Sequence, residues 1–184
     1  MFKAYSIETA PSQSKALLKK VCDKFGFIPN QDKILAVSPS IYQAYNHSFD
    51  LFLGSSTLSL LEGQIVLMAV SYENNSPYCM ALHSWGMEMT QCPQHIIDAL
   101  RDNHPIKDVK LEVLRSFTRQ LITTKGHLEE EIINNFLSHG YTHQNIIEII
   151  GGIASKSIAN YSNVIAKTSL DETMVKYKWE KTDK

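Results

Sequence analysis

The chain lacks a cysteine framework. Cys22, Cys79 and Cys92 are an odd number at no repeating spacing, which excludes a disulfide-stapled secreted fold. No apolar run approaches the roughly 20 residues a membrane span requires, and Met1 to Ser14 has no apolar core of signal-peptide length. Neither charge sign dominates: 18 Lys and Arg stand against 19 Asp and Glu. Nothing electrostatic therefore favours nucleic acid or an anionic membrane as partner. No Cys or His group has the spacing of a zinc shell. Alternating strands, Asn-Gly hairpin turns, repeats and low-complexity linkers are all missing. What remains is one all-α domain over residues 1–184 in a reducing, cytoplasmic setting, with neither metal nor cofactor expected.

Helical periodicity fills that space. A first helix starts at Ser12 or Ser14, presents Ala16, Leu17, Leu18 and Val21, and stops at Gly26. A short helix covers Gln31 to Val37. Ser38-Pro39 caps a third, whose Ile41, Tyr42, Tyr45, Phe49 and Phe52 recur at the spacing of a core face rather than a ligand cage. Later helices run from Pro93 to Leu100, Lys107 to Thr124, Leu128 to Leu137, and from Thr142 through Ile165. Val109, Val113, Leu114, Phe117, Leu121 and Ile122 are read as inward on the Lys107 helix. Ile146, Ile149, Ile150, Ile153, Ile158 and Ile165 form the apolar set of the last helix, and Gly151-Gly152 inside it calls for close packing by another helix. His139 and His143 straddle Gly140 and read as capping residues. Tyr177 and Trp179 in the polar tail are expected to pack on a neighbour.

The central pair of helices carries the chemistry. Leu58 to Asn75 is apolar on every side, which places it inside a bundle or between subunits. Asn75 or Ser76 then caps a helix to Gln91, with Pro77 at its first position. Cys79 falls in the first turn and His83 one turn later on the same face. A thiol at a helix N-terminus sits in a positive field, and an imidazole within reach adds to it, so both favour thiolate. Cys92 would lie about 20 Å from Cys79 along a continuous helix, too far to pair with it within one subunit.

The string Leu58-Ser59-x-x-Glu62-x-Gln64, an apolar helix, Asn74, Ser76-x-Tyr78-Cys79 and His83-Ser84 resembles the alkyl hydroperoxidase D / carboxymuconolactone decarboxylase family, peroxidase-related branch. That branch reads Leu-Ser-x-x-Glu-x-Glu, an apolar helix, then Asn-x-Cys-x-Tyr-Cys-x-x-x-His. Gly26 to Asn30, Ala36-x-Ser38-Pro39, Gly140-Tyr141-Thr142 and Asn160 to Asp171 extend the likeness over nearly the whole chain. The resemblance implies an all-helical homo-oligomer, a trimer or hexamer, with a thiol site at a helix start. It implies that Cys79 is the attacking cysteine and His83 the relay histidine.

Two positions depart from the pattern. Ser76 stands where the family has its first cysteine, so the internal resolving disulfide is absent. Gln64 stands at the relay glutamate; it can orient His83 but cannot accept a proton. Glu62 is rotated by roughly 200° from that position on a helix and does not replace it.

The reading that follows is a peroxidase-like thiol enzyme of antioxidant defence. It would reduce a small-molecule hydroperoxide at Cys79 and leave a sulfenic acid for an external thiol reductant. Ser76 and Gln64 keep two other readings open. One is a non-redox lyase or isomerase of the carboxymuconolactone decarboxylase type, with His83 as acid or base. The other is a catalytically silent oligomeric ligand-binding protein.

Overall fold

The computed structural model describes residues 2–181. Nine α-helices and one 3-10 helix account for its regular structure, and no strand occurs among the described residues. They are α1 (Ser12–Phe25), α2 (Asn30–Leu35), α3 (Pro39–Ser55), α4 (Leu60–Glu73), α5 (Pro77–Met89), α6 (Gln94–Asp102), α7 (Val109–Thr123), α8 (Glu130–Ser138), α9 (His143–Ala166) and the 3-10 turn Glu172–Tyr177. Local chemistry sets their ends. At α4 a capping box joins Ser59 and Glu62, with Ser59 N–H donating to Glu62 Oε2 at 2.9 Å. Thr142 and Asn145 form the same device at α9. The Asp108 carboxylate caps α7 by accepting from Leu111 N–H. Gly26 closes α1 at φ 79°, a left-handed conformation that favours glycine.

Helix α4 is the centre of the bundle. Ile65 through Tyr72 are buried without a break, because α7, α9, α5 and α6 cover it from different sides. Its apolar circumference is thus satisfied within one chain, although Leu60 at its start remains half exposed. One apolar cluster unites α4 with Leu100, Leu114, Phe117, Phe136 and Ile149. A second gathers Leu18, Leu35, Tyr42, Tyr45, Ala159 and Met174 around the first turn of α5. The tail finds its neighbour inside the chain. Trp179 packs edge-on against Tyr72 at 5.5 Å, and its indole N–H donates to Arg101 O at 2.8 Å.

Several side chains read as inward face solvent instead. Ile41, Val109, Ile150 and Ile165 are all exposed, since a continuous apolar pattern on a helix does not by itself mark which arc meets the core. Helix α9 shows this most clearly. Ile147, Gly151, Ala154, Tyr161 and Ile165 recur at three- and four-residue spacing on its outer side, with Ile158 half-buried among them.

The paired glycines of α9 have different surroundings. A Cβ on Gly152 would lie 2.7 Å from the Phe52 ring of α3, whereas one on Gly151 would meet nothing within 4 Å. Gly152→Ala should destabilise by about 1–3 kcal/mol through overpacking, while Gly151→Ala should stabilise by about 0.5–1 kcal/mol through helix propensity. Urea unfolding of the two variants beside the parent protein measures both signs.

Candidate functional site

Ser76 is the N-cap of α5 and Pro77 its first residue, so Cys79 is the third residue of the helix. Its sulfur sits at the positive end of the aligned peptide dipoles. The Ser76 side chain does not cap, and its Oγ is buried without a hydrogen-bond partner. Cys79 is fully buried, yet its wall is polar. Asn163 Nδ2, from α9, donates to Cys79 Sγ at 3.2 Å and to Gln31 Oε1 at 2.8 Å. The thiol reaches Gln31 Oε1 at 3.8 Å, and Gln31 Nε2 donates to the Tyr45 hydroxyl at 2.9 Å.

Two further bonds lock this wall in place. Tyr78 donates its hydroxyl proton to Asp171 Oδ2 at 2.6 Å and accepts from the Gln31 backbone N–H at 3.2 Å. The same carboxylate accepts from Asn30 N–H. The start of α2, the first turn of α5 and the segment after α9 are thereby tied together beside the thiol.

Lys156 of α9 is the unexpected member. Its side chain is wholly buried, and its Nζ has no aligned hydrogen-bond partner. Burial pulls the ammonium below the usual lysine range; the neighbouring Cys79 sulfur, by charge and by hydrogen bonding, and more weakly Asp32, pull the other way. Asp32 is itself buried, and its carboxyl is pushed up to about 6, chiefly by desolvation and against the stabilising Tyr42 hydroxyl, which donates to Asp32 Oδ1 at 2.9 Å.

His83 lies one turn beyond Cys79. Its Nδ1 is 2.9 Å from Gln64 Oε1. An amide oxygen only accepts, so Nδ1 carries the proton and Nε2 holds the lone pair. That Nε2 is buried without a partner. Burial, followed by the Lys156 charge, holds the imidazole well below its ordinary pKa. Burial thus works against the positive charge that His83 was expected to lend to the thiol. Gln64 orients the ring, as read from the sequence. Glu62 is engaged elsewhere, in its capping box and with Lys110 at 3.2 Å.

A groove of about 280 Å³ lined by Leu60, Leu61, Gln64, Met87, Thr90 and Cys92 opens beside Gln64. A larger cleft of about 520 Å³ lies between α1 and α3 around Lys20, His47 and Asp50. It contains no cysteine and is bridged by the Lys20–Asp50 pair, so its size does not make it the reactive centre. All three cysteines are free. Among the described residues no group of three or more His, Cys, Asp or Glu side chains is arranged to hold a metal, and no helix is long and apolar enough to cross a membrane.

No protein-family model and no curated protein matches the chain significantly. Solved structures do. An alkylhydroperoxidase AhpD core, an uncharacterized peroxidase-related protein from Ralstonia eutropha JMP134, superposes with a TM-score of 0.84 at 19% identity, over 98% of this chain and 97% of that one. This chain has the alkylhydroperoxidase D-like fold. An uncharacterized peroxidase-related protein from Silicibacter sp. TM1040 aligns at TM-score 0.72 and 22% identity, over 88% and 85% of the two chains. Debrominase Bmp8 in its apo form aligns at 0.79 and 17%, over 96% and 95%. A cysteine-to-alanine variant of Bmp8 in complex with 2,3,4-tribromopyrrole aligns at 0.77.

Within this alkylhydroperoxidase D-like fold, the four residues singled out from sequence split into two groups. His83 and Gln64 are bonded to each other, while Ser76 and Cys79 bracket the start of α5. Gln31, Lys156 and Asn163 were missed. A signal for two of them was present: Ile149, Lys156 and Asn163 are spaced by seven, so a buried isoleucine predicts the facing of the lysine and asparagine that follow it. Gln31 sits on a different helix, and nothing local marks it.

Neutral His83 gives a pH signature. Unfolded histidine binds a proton near pH 6.5 while the buried ring resists it, so its contribution to stability is present above that pH and is lost on acidification, by about 1.4 kcal/mol per pH unit. Asp32 acts oppositely: its carboxyl, raised to about 6, favours folding at low pH and loses that contribution as pH rises through about 4 to 6. His83→Asn keeps a donor toward Gln64 without titrating. Its stability relative to wild type should therefore improve steadily below pH 6.5, read as the difference between two urea-unfolding pH series. Parallel curves would mean that His83 is not held neutral.

Proposed function

We propose that the protein is a thiol oxidoreductase of antioxidant defence that reduces small hydroperoxides at Cys79, with an external thiol as reductant. The observation that carries this reading is a buried first-turn cysteine whose sulfur accepts from Asn163 Nδ2 at 3.2 Å. A helix N-terminus is a favourable place for negative sulfur, the nucleophilic form. Asn163 Nδ2 supplies a further donor to negative sulfur.

The chemistry runs in two balanced stages. Thiolate sulfur attacks the distal peroxide oxygen, the O–O bond breaks, and the Lys156 ammonium gives its proton to the departing alkoxide. The products are alcohol, a Cys79 sulfenic acid and a neutral lysine amine. An external thiol then displaces the hydroxyl of the sulfenic acid, releasing water, and a second thiol restores Cys79 with formation of a small disulfide. In this scheme His83 Nε2, whose lone pair has no partner, takes up the thiol proton when the site is recharged.

A non-redox lyase reading would instead rest on His83 alone, and the neutral ring is what favours it. The same assay separates the two. Cys79→Ser should abolish thiol-dependent consumption of hydrogen peroxide or cumene hydroperoxide, whereas Cys22→Ser and Cys92→Ser should retain it. Lys156→Met should slow consumption by about 100-fold, the scale of a lost general acid, and raise the pH midpoint of Cys79 alkylation. Peroxide consumption unaltered in Cys79→Ser would overturn the proposal.

We also propose that the functional unit is a homo-oligomer, a trimer or hexamer, assembled through the outer face of α9. Ile147, Tyr161 and Ile165 are 68%, 57% and 67% exposed there. Gly151 and Ala154 between them leave room for close approach of another helix. Light scattering should report an oligomer for the wild type and a smaller species for Ile147→Glu with Ile165→Glu. A wild-type monomer at micromolar concentration would refute this.

A further inference from the structure

Cys79 is fully buried, and neither cleft described above is lined by it. A reagent in solvent therefore meets the sulfur only when part of its wall moves. Asn163 belongs to α9, 24 residues long, and Tyr45 to α3, 17 residues long. Gln31 belongs to α2, which has six residues and no side-chain cap of its own. So short a helix has little stability by itself. Its far end is anchored, since Ile34 and Leu35 are buried. Its first turn is held from elsewhere. Asn30 N–H donates to both oxygens of the Asp171 carboxylate, at 3.1 and 3.2 Å, and Asn30 Nδ2 donates to Ser169 O at 3.0 Å. Gln31 N–H donates to the Tyr78 hydroxyl, which in turn donates to Asp171 Oδ2. Asp171 thus supplies the cap of α2 from 141 residues away.

We propose that Asp171 is the latch of a gate over the thiol. Its bonds to Asn30 and Tyr78 hold the first turn of α2 closed, and Cys79 reacts with reagents from solvent when that turn opens about its buried far end. This rests on the reading of Cys79 as the reactive thiol. Asp171 is itself buried, and hydrogen bonds to a carboxylate are among the strong ones, so the closed form dominates. Opening does more than admit a reagent. In the closed form Asn163 Nδ2 is shared between Gln31 Oε1 at 2.8 Å and Cys79 Sγ at 3.2 Å. Departure of Gln31 leaves that donor to the sulfur alone.

The experiment uses the full chain with Cys22→Ser and Cys92→Ser, so that alkylation by N-ethylmaleimide reports on Cys79 alone. In this parent the rate should level off as reagent concentration rises, because opening becomes the slow step. Asp171→Ala should raise that plateau about tenfold or more, the scale of a lost charge-assisted hydrogen bond. Peptide-resolved hydrogen exchange should lose protection across residues 30–35 and keep it in α4. Tyr78→Phe removes the hydroxyl that links Gln31 to Asp171 and should act alike. Adding it to Asp171→Ala should bring little further gain, because both bonds belong to one latch. Gly152→Ala, which strains α9 against Phe52 without touching the latch bonds, should react at the parent's rate.

Folded Asp171→Ala and Tyr78→Phe proteins alkylated no faster than the parent would overturn the latch, as would an equal acceleration by Gly152→Ala. Oxidation of Cys79 by hydrogen peroxide in those proteins would leave the thiol reading intact. A Cys79 inert to both peroxide and maleimide in every one of them would overturn both.

Discussion

Everything around the site depends on how a lysine is kept in the middle of a protein. Desolvating an ammonium costs several kcal/mol unless negative charge or lone pairs face it, and Lys156 is wholly buried. The groups that support its charge are the Cys79 sulfur and, more weakly, Asp32.

The two departures from the resemblance, Gln64 and Ser76, lie at the two helices that frame the thiol. A carboxylate at position 64 would stabilise protonated His83 and add a second cation near the sulfur. Gln64 supplies only an acceptor oxygen, at 2.9 Å, and a fully buried imidazole without a counter-charge remains neutral. With Ser76 where the resemblance has its first cysteine, no disulfide can form between that position and Cys79.

Helix α9 joins the buried site to an exposed apolar face. Its inner face delivers Gly152 to Phe52, Asn163 to the thiol, and Asn160 to Asn74 and Ser71. Its outer face carries exposed isoleucines and a tyrosine. The central helix α4 needs no partner, because the chain covers it completely from Ile65 to Tyr72.

The sequence by itself determined the helices, several of their ends and the position of the thiol. These follow from interactions a few residues long: the Ser59–Glu62 and Thr142–Asn145 boxes, Pro77 at the start of α5, Gly26 beyond α1. It also set the pairing of His83 with Gln64, since the resemblance aligned them. Only the tertiary structure decided which face of α9 is core, because isoleucines line both sides of it and periodicity alone cannot choose. It alone brought Gln31, Lys156 and Asn163 to Cys79 from 48, 77 and 84 residues away in sequence, positions at which no local pattern links them. The charge at the thiol followed from that placement, since burial and neighbours set protonation, and both are properties of the folded chain.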